Sequence, residues 1–420
     1  MRIGIDASRA FLEKRTGIEE YAYQVIKNLR DQLSCFEVCL YLRKKQTVDF
    51  EIPANWKIKV INWPFFWTQG GLSLEMLFHP VEALFIPAHT VPLIHPKKSV
   101  VTIHGLEYEF CPKAYSLWER IYMRVSIRKS CQWASRIVSV SENTKKDLLK
   151  LYQVPEKKIE VVYEGFAMEH GTGNMEQKKT KTENDLSLRG CNHPKQSRAL
   201  LKAGSPRIFD YKNSCDDQKC SMFHDLCSTP FLLFLGRIEE RKNVENIIKA
   251  FEILKEKYQL EHKLVLAGKP GFGFEKIQNK IQETRYNNQI ISLGFVSEEE
   301  KWELLKKAEV FVFPTQYEGF GIPILEAQSV GCPVVASNNS SVPEIVQYLP
   351  LPPGEDVRRT GEGHSALLVD PQSPQEIAEA IYKIFSNQTF KKDLIEKGLE
   401  NVKRFSWEKC ARKVAGILEG

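Results

Sequence analysis

The chain has 420 residues and a mass of 48.4 kDa, which at roughly 100–200 residues per domain predicts two or three domains. Hydrophobic residues make up 42% and charged residues 27%, which excludes a fibrous or wholly disordered chain. A net charge of +6 with bases and acids interspersed leaves no basic stripe, so nucleic-acid binding is excluded too.

No apolar run reaches the ~18 residues needed to cross a bilayer. Met1 to Asp6 places an acid inside the first apolar run and offers no small-residue cleavage site, so a cytoplasmic protein is expected. Strands are then predicted at Ile3–Asp6, Val38–Leu42, Lys57–Ile61, Ala83–Ile86, Ser99–Ile103, Arg136–Val140 and Ile159–Tyr163. Helical periodicity fills Ile18–Leu33, Ser116–Ala134 and Glu142–Leu151. The aromatic run Trp63-Pro64-Phe65-Phe66-Trp67 reads as a core or interdomain packing segment, with membrane contact as the other reading. Cys35, Cys39, Cys131, Cys332 and Cys410 sit in apolar contexts, as buried thiols do.

From about Ala167 to Thr229 the chain turns polar, with no sustained period of 2 or 3.6, and reads as a disordered insertion or linker. It holds Cys191, His193, Cys215, Cys220, His224 and Cys227, but Cys215-x₄-Cys220 is looser than the paired spacings a zinc site wants. Beyond it, strands are predicted at Phe231–Leu235, Lys263–Ala267, Gln289–Leu293, Val310–Phe313, Pro333–Ala336 and Ala366–Val369. Helices follow at Val244–Lys257, Glu298–Lys307, Ile322–Val330 and Pro374–Phe385, and Ser406 opens a last amphipathic helix. Strand-then-helix alternation implies parallel sheets covered on both faces. The fold class is therefore α/β, with two Rossmann-like doubly wound domains at residues 1–166 and 230–404, a polar junction at 167–229, and a C-terminal helix at 405–420 that packs on the second domain or crosses back to the first.

The most informative segment runs from Phe311 to Ala327. A buried strand ends at Phe313, a loop carries Gly319 and Gly321, and a helix opens with Pro323 in its first position, where a missing N–H costs nothing. The amides of Gly319, Phe320, Gly321 and Ile322 then face outward at a helix N-terminus, which suits phosphate. Glu318 and Glu326 bracket that site; as acceptor-only groups they suit sugar or ribose hydroxyls rather than phosphate. The structural alternative is a solvated Glu318 and a Glu326 that complements the helix dipole.

A second group, Gly236-Arg237-Ile238-Glu239-Glu240-Arg241-Lys242-Asn243, follows a strand end, where open α/β sheets bind ligands. Arg237 and Lys242 supply fixed cations for a departing diphosphate, and Asn243 is expected to cap the next helix. The sequence has no D-x-D pair to hold a divalent metal, so no metal and no other cofactor is expected. His104 lies just past another strand end, as a ligand contact or a structural hydrogen-bonder, and Gly17 opens the helix after the first strand.

Taken together, these motifs resemble those of retaining glycosyltransferases of the GT-B fold in the large bacterial family 4, the group 1 transferases. The E-x₇-E pair Glu318 and Glu326 with Gly319-Phe320-Gly321 carries most of the likeness, supported by Gly236-Arg237-x₄-Lys242, Thr102-Ile103-His104, Val140 to Thr144 and Phe405-Ser406-Trp407. The resemblance implies a hexosyltransferase moving a hexose or deoxyhexose, mannose being the first guess, from a nucleotide diphosphate sugar to a glycan or lipid-linked glycan. It implies retention, no metal, a cytoplasmic location open to peripheral contact with the inner membrane, and no nucleic-acid partner. In the same terms, Arg237 and Lys242 would bind the diphosphate, the backbone of Gly319 to Ile322 the phosphate and sugar, Glu318 the sugar hydroxyls and Glu326 the ribose diol. His104 would sit near the sugar from across the cleft, and Gly17 would help close the site. Departures are Gly105 where His-Asp is common, Glu19 where a second loop glycine is common, and the insertion. The rival readings are a sugar-nucleotide modifying enzyme, which would need a glycine-rich fingerprint after the first strand, and an inactive glycan-binding scaffold.

Overall fold

The computed structural model describes residues 1–12, 15, 17–166, 229–347 and 364–420. The polar segment and its cysteine and histidine cluster lie outside the described residues. Among those described are two all-parallel sheets. The first has the order β3-β2-β1-β4-β5-β6-β7, from β1 (Arg2–Asp6), β2 (Glu37–Leu42), β3 (Trp56–Val60), β4 (Ala83–Ile86), β5 (Lys98–Ile103), β6 (Arg136–Ser139) and β7 (Ile159–Val161). The second has the order β10-β9-β8-β11-β12-β13, from β8 (Phe231–Leu235), β9 (Lys263–Ala267), β10 (Ile290–Gly294), β11 (Val310–Phe313), β12 (Val334–Ser337) and β13 (Leu367–Val369).

The inner strands form because they are short apolar runs that helices bury on both faces, whereas the edge strand β3 is mostly exposed. Ala83 to Ile86 and Val310 to Phe313 are completely buried. Strand order reverses between β1 and β4 in one sheet and between β8 and β11 in the other. Each reversal splays the flanking helices apart and leaves a crevice at the carboxyl ends of the strands. The helices used below are α1 (Gly17–Gln32), α2 (Leu117–Trp133), α3 (Glu142–Tyr152), α4 (Ile322–Ser329), α5 (Val342–Val346) and α6 (Trp407–Glu419).

Helix α6 packs on α1 of the first lobe, so the last residues of the chain belong to the first core. Ser406 caps it by accepting from the Lys409 amide. Trp407, Val414, Ile417 and Leu418 join Tyr21, Val25, Ile26 and Leu29 in one apolar cluster, each such burial being worth about 1.5–3 kcal/mol. The Trp407 ring meets the Tyr21 edge at 6.0 Å, and the Lys98 ammonium donates to the Glu419 carbonyl at 2.8 Å. Gly165 lies under this crossing, where an added Cβ would fall 2.2 Å from the Trp407 nitrogen.

Two local expectations need correction. Cys35 is exposed because it falls in the turn between α1 and β2, whereas Cys131, Cys332 and Cys410 are buried. Within the aromatic run only Trp67 enters the core, its ring nitrogen donating to the Ile61 carbonyl, while Phe65 and Phe66 are about three-quarters exposed.

Candidate active site

At the switch point of the second sheet, β8 ends and the chain turns through Arg237 to a short 3-10 turn, Glu240–Lys242. That turn swings Arg241 and Lys242 inward and leaves Arg237 outside. The Lys242 ammonium donates to Glu318 Oε1 at 2.5 Å and lies 5.1 Å from the Phe313 ring centre. Both partners are nearly buried, with side chains 11% and 12% exposed. Burial holds the Lys242 pKa below its usual 10.5, opposed by the Glu318 charge. Arg237 is 59% exposed, with Glu239 4.0 Å away.

Arg241, which the sequence reading passed over, is the centre of this charge cluster. It donates to Glu239 at 2.8 Å, to Glu318 at 3.4 Å and to the Tyr317 carbonyl at 2.9 Å. Asn243 stands at the start of the next helix but does not cap it with its side chain. It adopts a left-handed conformation (φ 61°), and its amide donates to the carbonyls of Pro314 and Pro371, tying together the loops after β11 and β13. Two buried carbonyls outcompete the helix amides for that side chain.

The loop after β11 is stitched from the far side by residues following β12. Ser340 accepts from the Glu318 amide at 3.1 Å, and Ser341 donates to the carbonyls of Glu318 and Phe320. Phe320 turns its ring away from the crevice and packs edge-on against Phe405 at 5.6 Å, so only its backbone faces the site. Gly321 sits at φ 118°, which a side chain would strain, and is the residue before α4. Helix α4 begins at Ile322, so Pro323 takes its second position and not the first. The consequence is the same, because the first-turn N–H groups have no partner within the helix. Among the described residues no side chain caps this N-terminus, which leaves it open to an anion. One turn into α4, Glu326 accepts from Lys301 at 2.8 Å; each side chain is 14% exposed.

The first lobe supplies the opposite wall. An added Cβ at Gly319 would fall 1.6 Å from the His104 carbonyl, and one at Gly105 would fall 3.3 Å from Gly319 Cα. The loops after β5 and β11 therefore touch, and only glycine permits that approach. The His104 ring points into its own lobe: Nδ1 meets Glu164 Oε1 at 3.0 Å and Nε2 meets the Pro87 carbonyl at 2.8 Å. With acceptors on both sides, neither ring nitrogen is left for a ligand in this arrangement. Tyr21 and His89 pack edge-on against the ring, and burial pushes His89 well below its usual pKa. Gly17 stands apart from these contacts, exposed at the start of α1.

The structure thus brings Lys242, Glu318, Gly319 and the His104 backbone into contact, and puts Glu326 one helical turn beyond. Glu239, Arg241, Lys301 and Glu164 complete the set. Arg241 and Glu239 were within reach of the sequence, inside the segment already singled out. Glu164 carried no such signal: a single acid after a short strand has no pattern to mark it. Among the described residues, no group of three or more His, Cys, Asp or Glu side chains is placed to hold a metal ion.

Comparison with known proteins agrees in extent with the two lobes. A family model for "Glycosyl transferases group 1" matches residues 227–401, and one for "Glycosyltransferase Family 4" matches residues 15–170. The O-antigen chain mannosyltransferase B of Escherichia coli is 25% identical over 314 residues, covering 75% of this chain and 68% of that protein. The serotype-specific mannosyltransferase WbdA of Escherichia coli is 30% identical over 208 residues, 49% of this chain and 23% of its own length. Among solved structures, Anabaena Alr3699/HepE in complex with UDP and glucose superposes with a TM-score of 0.62 at 16% identity, over 100% of this chain and 99% of that one.

Proposed function

This chain belongs to the group 1, family 4 glycosyltransferases and has the two Rossmann-like lobes of the GT-B fold, and we propose that it moves a mannosyl-type hexose or deoxyhexose from a nucleotide diphosphate sugar to a glycan or lipid-linked glycan, with retention and without a metal. One observation carries the reading. Lys242 and Arg241 converge on Glu318 at the switch point of the second sheet, with the amides opening α4 and Glu326 beside them and the His104–Gly105 loop of the first lobe opposite. Similarity to two Escherichia coli mannosyltransferases supports the choice of sugar.

In this reading the donor diphosphate lies between Arg237, Lys242 and the amides opening α4. Lys242 leaves Glu318 for phosphate oxygen, and Arg241 stays to neutralise the carboxylate. Glu318 then accepts from sugar hydroxyls and Glu326 from the ribose diol. Charge builds on the leaving phosphate as the glycosidic bond breaks. Preorganised cations meet that charge without reorganising, an effect worth about 10²–10³ in rate per donor. The acceptor hydroxyl attacks from the face the phosphate leaves, and passes its proton to that phosphate. The His104 carbonyl, not its ring, is the part of that residue nearest the sugar, with Glu164 and Pro87 fixing the loop.

Peripheral contact with an anionic membrane face is supported by α2. Its outer face exposes Leu117, Trp118, Ile121, Tyr122 and Val125, followed along the same stripe by Arg128 and Lys129. An apolar stripe ending in cations suits the boundary between headgroups and acyl chains. A lipid-linked acceptor would be presented there. Thermal shift against GDP-, UDP- and dTDP-sugars tests the donor assignment. At 100 times Kd a bound donor adds about 2.7 kcal/mol, or ~5–10 °C for a lobe of this size. A flat response to every nucleotide sugar would overturn the proposal.

A further inference from the structure

Helix α3 belongs to the first lobe, yet its N-terminus is completed by the second. Ser141 caps it locally, accepting from the Thr144 amide at 3.0 Å. The Glu142 and Asn143 amides, which have no partner within the helix, donate across the crevice to the two carboxylate oxygens of Glu344 at 2.9 and 3.0 Å. The Tyr163 hydroxyl adds a third donor at 3.3 Å. A carboxylate on a helix N-terminus is also favoured by the helix dipole. One turn further along the same helix, Asp147 accepts from the Tyr317 hydroxyl at 2.7 Å, and that hydroxyl accepts from the Leu106 amide at 3.3 Å. The Tyr317 ring stacks on Phe110 with centres 4.7 Å apart and planes 12° from parallel.

Both grips sit next to the loop that carries the sugar-facing carboxylate. Tyr317 immediately precedes Glu318, and its carbonyl holds Arg241, which in turn reaches Glu318. Glu344 lies in α5, three residues after Ser341, and Ser340 and Ser341 hold the Glu318 backbone. Separating the lobes would pull on Glu318 from both sides. We propose that Glu344 and the Tyr317–Asp147 pair are positioning residues that couple lobe closure to the placement of Glu318, so that the sugar site is complete only when the first lobe has engaged. This inference rests on the reading of Glu318 as the sugar contact.

The test uses the full chain in two measurements. The first is small-angle X-ray scattering of ligand-free Glu344→Ala, Asp147→Ala and the double variant; a larger radius of gyration than the wild type supports the clasp, and an unchanged radius in the double variant overturns it. The second is steady-state kinetics with the donor that turns over. Tyr317→Phe and Asp147→Ala should each lower kcat about 10- to 100-fold through misplacement of Glu318. The donor KM should stay within about threefold, since the groups that hold the diphosphate and ribose are untouched. The Tyr317→Phe/Asp147→Ala double variant should be no slower than either single one, and Asp147→Asn, which still accepts from the hydroxyl, should regain most of the rate. Multiplying losses, or an Asn variant as slow as Ala, would overturn the coupling. If the wild-type chain turned over no nucleotide sugar, the reading of Glu318 would fall while scattering would still decide the clasp.

Discussion

Replacing Glu318 by Leu should cost the ligand-free protein more stability than replacing Lys242 by Met. The two side chains are 11–12% exposed and meet at 2.5 Å, so removing either charge leaves the other in a poor solvent. Breaking such a pair costs about 3–5 kcal/mol when nothing else compensates. Compensation differs on the two sides. Without Lys242, the Glu318 carboxylate keeps Arg241 at 3.4 Å. Without Glu318, Arg241 falls back on Glu239 at 2.8 Å, and Lys242 keeps only the Phe313 ring among the contacts described above. Glu318→Leu should then fall near ~3–5 kcal/mol and Lys242→Met near ~1–2 kcal/mol. In a lobe of this size those losses lower Tm by about 6–20 °C and 2–8 °C. The assay is differential scanning calorimetry of the ligand-free protein at neutral pH. The double variant Lys242→Met/Glu318→Leu should recover at least half of the Glu318→Leu loss, because a matched apolar pair needs no counter-charge. A Lys242 variant as unstable as the Glu318 variant, or a double variant losing the sum of both, would refute this account of the cluster. A stable but inactive double variant would show that the pair is retained for chemistry.

Arg237→Ala should leave Tm within the scatter of a surface change, about 0.5 kcal/mol, while kcat/KM falls ~10²–10³-fold; unchanged turnover would remove Arg237 from the site. Burial lowers the Lys242 pKa, so the native state sheds that proton below pH 10.5 and the unfolded state later. Folding stability therefore gains from Lys242 as pH rises through that window, while kcat/KM, which needs the charge, declines in it. Lys242→Arg should move the alkaline limb upward, and a limb unchanged by that substitution would rule out Lys242 as its origin. Chelator should change the transfer rate by less than about twofold, and strong inhibition would point to a metal the proposal lacks. Ile121→Glu with Trp118→Ser should reduce sedimentation with anionic vesicles at least tenfold and spare transfer to a water-soluble acceptor, each lost side chain forfeiting about 1.5–3 kcal/mol of burial. Equal binding by the variant would move the contact elsewhere.

Local pattern was enough to place most strands, because the inner parallel strands are short apolar runs ended by glycine, proline or a polar residue. Phe231–Leu235, Lys263–Ala267 and Val310–Phe313 occur at the expected positions. Spacing alone also placed the loop, the glycines and both glutamates around the start of α4. Two longer helices were missed: Gln388–Val402 has a weak apolar stripe beside a long polar face, and Phe274–Glu283 keeps a regular stripe at Phe274, Ile277 and Ile281 but opens on Gly273 with no capping side chain to mark its start. What the sequence could not determine was which groups answer one another. Lys242 and Arg241 are adjacent, as are Glu239 and Glu240, and nothing local says that Glu318 accepts from the first pair while Glu239 holds Arg241. Asn243 sits where a cap is wanted and turns to Pro314 and Pro371, which only the folded sheet brings within reach. His104 finds Glu164 60 residues away, and Tyr317 finds Asp147 170 residues away in the other lobe. Period and turn chemistry act over a few residues and so can be read along the chain. Desolvated polar groups select partners by proximity in space, and that proximity exists only once the two sheets have closed on each other.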